Sequence, residues 1–401
     1  MTKLNPATVP PAVLEAVKGL QAGGFRAFLV GGCVRDLLRG ARPKDFDVAS
    51  SATPAQVQKL FAKVIPTGIE HGTVTVVLKG THVEVTTFRA EAEYLDGRRP
   101  SKVEFHEDIE ADLSRRDFTM NAIAWDPIGN ELVDPFDGQG DLARRTVRCV
   151  RKAFDRFSED GLRPLRAVRF ATVLDFKLEP ETEAAISQTL AVFKKVAQER
   201  VHQEFVKLLA APTVVKGLVL LERTGLLSAF LPEADRATLE TVGRGEPNEV
   251  LRLALLLLGR TETKAALTRL KFPTKVCDEA HALAQITALP LASATDAELR
   301  RFLARHGLER AELACALHLA RATPNAAEVA ARLRPLIAAR PPLTAKDLAL
   351  DGKAIMAALE VSPSPLVGQA TRFLVEQVLD EPTRNRPESL RELLRAWPRP
   401  T

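Results

Sequence analysis

The stretch LVGGCVRDLLRGARPKDFDV, residues 29–48, ends an apolar run in Gly31-Gly32, continues as a short helix-like segment and closes with two aspartates around one phenylalanine. If DFDVAS is a strand, residues two apart share a face, so Asp45 and Asp47 project together and Phe46 turns into the core. Two adjacent carboxylates repel, and keeping both ionised is costly unless cations sit between them. Magnesium takes oxygen ligands and keeps several waters, and two metals about 4 Å apart can serve an in-line phosphoryl displacement. A third carboxylate on a neighbouring strand would complete such a site. In HVEVTT, Glu84 shares a face with Thr86 while Val83 and Val85 turn to the other. Gly31-Gly32 follow a strand and precede a helix, an arrangement that offers backbone N–H groups to a phosphate. Alone, D-x-D is a common solvated strand face and G-G a common tight turn. The ordered set GG, R-D, D-x-D, V-E-V-T is what points to phosphoryl chemistry. The dinucleotide fingerprint fits poorly, because VGGCVRD lacks G-x-G-x-x-G and no βαβ unit follows.

Around this motif the first 135 residues read as mixed α and β. PPAVLEAVKGLQAG has helical spacing and stops at Gly23-Gly24, RAFLV is a short strand, and TPAQVQKLF opens with a Thr cap and a first-turn Pro. GTVTVVLKG and THVEVTTFR are β-branched runs around Lys79-Gly80, a hairpin signal. From about residue 150 Leu, Ala, Arg and Glu dominate and no convincing strand remains, with breaks near 243–249 and 339–347. A chain of 401 residues exceeds one ordinary core. Residues 1–150 carry 19 Lys and Arg against 20 Asp and Glu, the remainder 37 against 31, so the positive excess of the later part favours a polyanionic partner there. No apolar run suits a membrane span, and the N-terminus lacks a signal-peptide pattern. The four scattered cysteines suggest neither a zinc site nor a disulfide framework, so a cytoplasmic setting is expected. The seven histidines do not cluster: His71 reads as a structural strand-end residue, and His281 and His318 as helix residues.

GG-x-V-R-D…DFD resembles the first motif of the DNA polymerase beta-like nucleotidyltransferases. More narrowly, with IEHGTVTVVLKGTHVEVTTFR, DLSRRDFTMNAIAWD, DPFDGQGDLARRTVRCV, FSEDGLRPLRAVRFA and QERVHQEFVKLL, it is similar to the class II tRNA nucleotidyltransferases and bacterial poly(A) polymerases over roughly residues 25–210. The resemblance implies that Asp45 and Asp47 bind Mg2+, with Glu84 as the third catalytic carboxylate. Gly31, Gly32 and Arg35 would hold a triphosphate, and Arg116, Asp117 and Asn121 the ribose. Asp117 and Asn121 would share a helix face, being four apart. In SEDGLRPLR it implies that Asp160 and Arg163 select the base, with Arg166 and Arg169 further along the nucleotide site. An acceptor beside a donor matches cytosine and adenine and leaves guanine and uracil with unpaired groups. Gly161 and Pro164 depart from the family pattern, since an interior proline kinks a helix; capping by Ser158 would place Pro164 just beyond the first turn. RAEAEYLDGRRPSKVEF (89–105), with Tyr94, Arg98 and Arg99, matches a mobile loop that helps the switch from CTP to ATP. No phosphohydrolase activity of the His-Asp type is expected.

The expected fold is therefore α+β: a mixed-sheet nucleotidyltransferase head followed by an all-helical neck, body and tail. The expected segments are a catalytic head (1–145), a neck for base selection and RNA binding (146–210), a body (211–300) and a tRNA-binding tail (301–401). The resemblance implies addition of CCA to tRNA from CTP and ATP by two-metal transfer, with no membrane and no stable protein partner. A poly(A) polymerase, an A-only enzyme and a catalytically silent RNA-binding protein remain open.

Overall fold

The structure, a computed structural model, describes residues 3–90, 104–105 and 108–398, and the chain packs as two compact units, Met1–Ala234 and Asp235–Thr401. In the first unit, helix α1 (Pro11–Ala22) leads into β1 (Ala27–Val30), α2 (Gly32–Leu38), β2 (Asp47–Ser50) and α3 (Pro54–Leu60). The strands β3 (Val64–Gly68), β4 (Thr73–Leu78) and β5 (Thr81–Thr87) follow. Next come the short pair β6 (Arg89–Ala90) and β7 (Glu104–Phe105), then α4 (Ile109–Ser114), β8 (Ala124–Asp126), β9 (Glu131–Val133) and α5 (Gly138–Ala143). Seven strands form one sheet in the order β3-β4-β5-β2-β1-β8-β9. All neighbours are antiparallel except β2 and β5.

Local chemistry accounts for these elements. The β4–β5 hairpin closes on Lys79 and Gly80, both at positive φ, the two-residue turn whose twist matches its strands. Thr53 and Gln56 form a reciprocal capping box at α3, and Pro54 fills its first position. On α1, Val13, Ala16, Val17 and Leu20 are buried, at helical spacing, and the helix packs on β1, β4 and β5. Phe28, Val30, Ala49, Phe88, Ile109, Leu113 and Ala124 build a second apolar cluster, so the middle of the sheet is covered on both faces. Burying each such side chain contributes on the order of 1.5–3 kcal/mol.

After a two-residue strand β10 (Thr146–Val147) the unit becomes helical: α6 (Ala153–Glu159), α7 (Arg163–Val173), α8 (Pro180–Gln188), α9 (Leu190–Phe193), α10 (Gln198–Leu209), α11 (Val214–Arg223) and α12 (Leu226–Phe230). One departure from the expected all-helical remainder is β11 (Lys177–Leu178), which pairs in parallel with β10. Helix α11 packs on α7, so the helical layer around α7 continues past residue 210. In the second unit, one apolar core gathers Leu299, Leu303, Cys315, Val329 and Leu333, and another gathers Ile355, Leu374, Val378, Leu390 and Leu394. His318 is fully buried, its ring bonded to the Ile286 carbonyl and the Thr323 hydroxyl. The 243–249 break separates helices Leu239–Arg244 and Glu249–Leu256, and the 339–347 break follows helix Ala326–Ala339.

Three local expectations are corrected. Asp45 and Phe46 precede β2 rather than lying in it, and Phe46 is half-buried rather than in the core. Residues 115–122 are not an α-helix. The chain leaves α4 at Arg115, bridges Cys149 through Phe118 and turns once as a 3-10 helix at Thr119–Asn121. Residues 158–166 are not one helix either: α6 ends at Glu159, and α7 begins at Arg163 with Pro164 in its first turn, where proline removes no helical hydrogen bond. Gly161 sits in that break because a Cβ there would lie 2.7 Å from the Val192 carbonyl oxygen. Gly161→Ala is expected to lower stability by roughly 1–3 kcal/mol, since backbone must move. A reduced urea midpoint at unchanged m is the signature to look for.

Candidate active site

The break before β2, the β1–α2 turn, the 115–121 segment and helices α7 and α10 converge on one cleft of about 1240 Å³. Every site residue expected from the sequence lines it: Gly31, Gly32, Arg35, Asp45, Asp47, Glu84, Arg116, Asp117, Asn121, Asp160, Arg163, Arg166 and Arg169. Its walls hold twelve Lys and Arg side chains against six Asp and Glu, a field that draws in polyanions.

The carboxylates gather on the sheet. Asp47 is the first residue of β2 and stands directly across from Glu84 on β5, with Asp45 two residues before it. Asp47 is exposed to solvent at the start of β2, yet the protein around it removes part of its hydration. That loss of hydration raises its carboxyl above the usual range; Arg116 pulls it down and the Asp45 charge pushes it up. Among the described residues no three His, Cys, Asp or Glu side chains are grouped so as to enclose a metal by themselves. The donor chemistry nevertheless fits a hard cation. Two neighbouring aspartate carboxylates, one of them under-compensated, suit an ion that completes its shell with water and ligand phosphates.

Opposite lies a comb of arginines, each fixed by a carboxylate. Arg35 donates to Asp36 through Nε (2.9 Å) and to the Asn121 amide oxygen through Nη1 (2.9 Å). Asn121 Nδ2 donates to Asp117 (3.1 Å), so these two meet although no α-helix carries them. Arg166 grips the same aspartate through Nε (2.9 Å) and Nη2 (2.7 Å). Asp117 is enclosed, yet Arg166 with the Asn121 bond holds its carboxyl down at about 2. Arg169 donates to Glu204 (2.7 Å) and lies 3.5 Å from the Phe170 ring centre, a cation–π contact. Gly31 has φ +75°, and a Cβ there would lie 2.7 Å from Arg116 Nη1. Its N–H is bonded to the Ile123 carbonyl (3.2 Å), so this glycine admits the guanidinium rather than offering its own amide to a phosphate.

Asp160 and Arg163 both line the cleft but do not pair with one another. Asp160 accepts from the Leu162 amide (3.0 Å) and from Arg200 (2.7 Å). Arg163 donates to Glu159 (2.6 Å) and to the carbonyls of Arg156 (2.9 Å) and Arg115 (3.0 Å). A guanidinium has five N–H groups, so Nε–H and one Nη2–H remain for a ligand.

This constellation has relatives. The family model for the poly A polymerase head domain matches residues 27–148, and that for tRNA nucleotidyltransferase domain 2 matches residues 248–394. The CCA-adding enzyme of Geobacillus stearothermophilus is 38% identical over 392 residues, 94% of each chain. The crystal structure of the Bacillus stearothermophilus CCA-adding enzyme in complex with CTP superposes with a TM-score of 0.82 at 35% identity, covering 97% of this chain and 98% of that one. A tRNA nucleotidyltransferase complexed with a primer tRNA and an incoming ATP analog matches at 25% identity and TM-score 0.65, covering 82% of this chain and 99% of that one.

The chain belongs to the class II CCA-adding enzyme family. Enzymes of this nucleotidyltransferase type generally use divalent metals. Most of the 89–105 loop, with Tyr94, Arg98 and Arg99, lies outside the described residues.

Several residues that position the cleft side chains escape sequence reading. Asp112, 1% exposed, pairs with Arg115 (2.6 Å) and Arg116 (3.0 Å); its spacing of three and four from those arginines on a helix was a usable signal. Glu204 and Arg200, on α10, hold Arg169 and Asp160 from 35 and 40 positions away, a separation with no sequence signature.

The Asp47 environment predicts a pH-dependent trade-off. A carboxyl raised above its unfolded value makes the ionised form a penalty in the fold, fully present at neutral pH and lost as pH falls through the folded value. Asp47→Asn is expected to melt higher than the parent at pH 7 without divalent cation, the gap closing in acid. Added Mg2+ should raise the melting temperature of the parent and not of the variant. A variant that melts lower at pH 7 would contradict the crowding described above.

Proposed function

We propose that this chain adds C, C and A to the 3′ end of tRNA from CTP and ATP without a nucleic-acid template. The observation that carries the reading is one cleft in which Asp45 and Asp47, at the entry to β2, share the walls with an arginine comb preset by carboxylates. Asp45 and Asp47, with Glu84 as a third oxygen donor, would hold Mg2+, which when bound lowers the pKa of the attacking hydroxyl and neutralises charge on the leaving pyrophosphate. Arg35 and Gly32, on the turn that Gly31 opens to the Arg116 guanidinium, would seat the triphosphate; Arg116, Asp117 and Asn121 would fix the ribose. The RNA 3′-oxygen bonds to the α-phosphorus while the bond from that phosphorus to the pyrophosphate oxygen breaks. The hydroxyl proton leaves to solvent and the electron pair departs with pyrophosphate.

Base choice would rest on Asp160 and the two remaining N–H groups of Arg163. Each side chain has its own ion-pair partner, Arg200 for Asp160 and Glu159 for Arg163, so the template is fixed before the nucleotide arrives. Arg166 and Arg169 complete that wall. The neck (146–210), body (211–300) and tail (301–401), which carry the positive excess, would hold tRNA through phosphates and shape. No described helix is long and apolar enough to cross a membrane. The four buried free thiols accord with a cytoplasmic setting.

The match to a poly A polymerase head keeps A-only polymerisation as the competing reading. Both are decided by incubating the protein and Mg2+ with a tRNA transcript ending before CCA, giving CTP, ATP or both. Growth by two residues with CTP, and by a third only with both, is expected. A long ladder with ATP alone would make it a poly(A) polymerase. Asp45→Ala should abolish addition while RNA binding persists; normal activity in that variant would overturn the mechanism.

A further inference from the structure

Phe170 stands where the parts of the cleft meet. It lies on α7, is buried, and lines the cleft with one edge. Three guanidiniums lie over its ring: Arg169 at 3.5 Å from the ring centre, Arg35 at 5.2 Å and Arg166 at 5.4 Å. The Phe118 ring meets it edge-on, with 5.7 Å between centres and 79° between planes. These neighbours serve different parts of the reading above. Arg35, on α2, belongs to the triphosphate seat. Arg166 and Arg169 belong to the wall beside Asp160 and Arg163. Phe118 follows Asp117 in the segment assigned to the ribose.

Polar contacts join the same parts by a longer route. Arg35 donates to Asn121, Asn121 donates to Asp117, and Arg166 donates to that same carboxylate. Among the described residues no hydrogen bond or ion pair links α2 directly to α7. The direct link is Arg35 over Phe170, and one turn further along α2, Arg39 lies over Phe176 just beyond α7, at 5.5 Å. A ring draws a cation through the quadrupole of its face. It therefore gathers guanidiniums without taking up the N–H groups that a phosphate or a base must bond, which a carboxylate in its place would do.

We propose that Phe170 is a positioning residue that couples base selection to placement of the triphosphate. A base that does not match the wall shifts Arg166 and Arg169, and the ring passes that shift to Arg35, so the phosphates of a wrong nucleotide are also out of register. The inference rests on the nucleotidyl-transfer reading and deepens it, because a side chain with no hydrogen-bonding group then contributes to the choice of base.

The test uses the full chain, Mg2+ in excess and a tRNA transcript lacking CCA. Phe170→Leu keeps an apolar side chain and removes the ring; Phe170→Tyr keeps the ring. One readout is kcat/KM for CTP over UTP in the first addition. The other is inhibition of that addition by inorganic tripolyphosphate, which probes the triphosphate seat without a base. Phe170→Leu is expected to lower the CTP preference about ten-fold and to weaken tripolyphosphate inhibition several-fold, the scale of one lost cation–ring contact. Phe170→Tyr should stay close to the parent in both. Lost packing alone lowers the folded fraction, which cancels in a ratio measured on one preparation. Should Phe170→Leu fail to fold, Phe170→Met, an unbranched side chain of similar volume, takes its place with the same expectation. An unchanged CTP preference, or a change in only one of the two readouts, would overturn the coupling. A parent that adds C while the ring-less variant matches it sinks the coupling alone; a parent that adds nothing sinks the functional reading and the coupling with it.

Discussion

Arg166 is held by Asp117 from the segment after α4 and approached by Glu204 from α10, while Arg169 beside it is bonded to the same glutamate. These contacts join three stretches of chain that are far apart in sequence, and the cleft exists because they meet. Arginines gathered on one wall repel unless each has a counter-charge, and a partly buried guanidinium must have its N–H groups bonded. Asp117 meets both needs for Arg166, and its carboxyl stays ionised far into acid because the cation sits beside it. Removing one member of such a partly buried pair leaves the other charge uncompensated, which costs more than losing an exposed contact.

The aspartate side of the cleft follows the opposite rule. Every comb arginine has a protein partner, but Asp47 is crowded and lies beside another carboxylate, so its negative charge is poorly compensated. A fold optimised for stability alone would not place it there; a site that must bind cations and phosphate has reason to.

Irregular backbone sits where the site needs it. Gly31, at positive φ, lets the Arg116 guanidinium come within reach of the β1–α2 turn, and the helix break at Gly161 lets Val192 approach closely. That break also turns Asp160 and Arg163 away from a shared helix face. Each is held by its own partner, Arg200 or Glu159, so their relative placement comes from two separate ion pairs rather than from helical periodicity.

The sequence by itself determined the α+β head, the hairpin at Lys79-Gly80, the helical remainder and a set of residues that meet in the cleft. These follow from local rules: turn residues that tolerate positive φ, alternation that sets strand faces, spacing that sets helix faces, and motifs in a fixed order. What it misread were places where long-range contacts override local preference. Asp117 and Asn121 meet across a 3-10 turn, and Phe46 leaves the core. Only the tertiary structure decided which carboxylate holds which arginine. Glu204, Arg200 and Asp112 carry charge that any surface helix could carry, and their roles exist only because folding sets each against a partner; Glu204 and Asp112 are also taken out of water, where a pair is worth far more than on a solvated face.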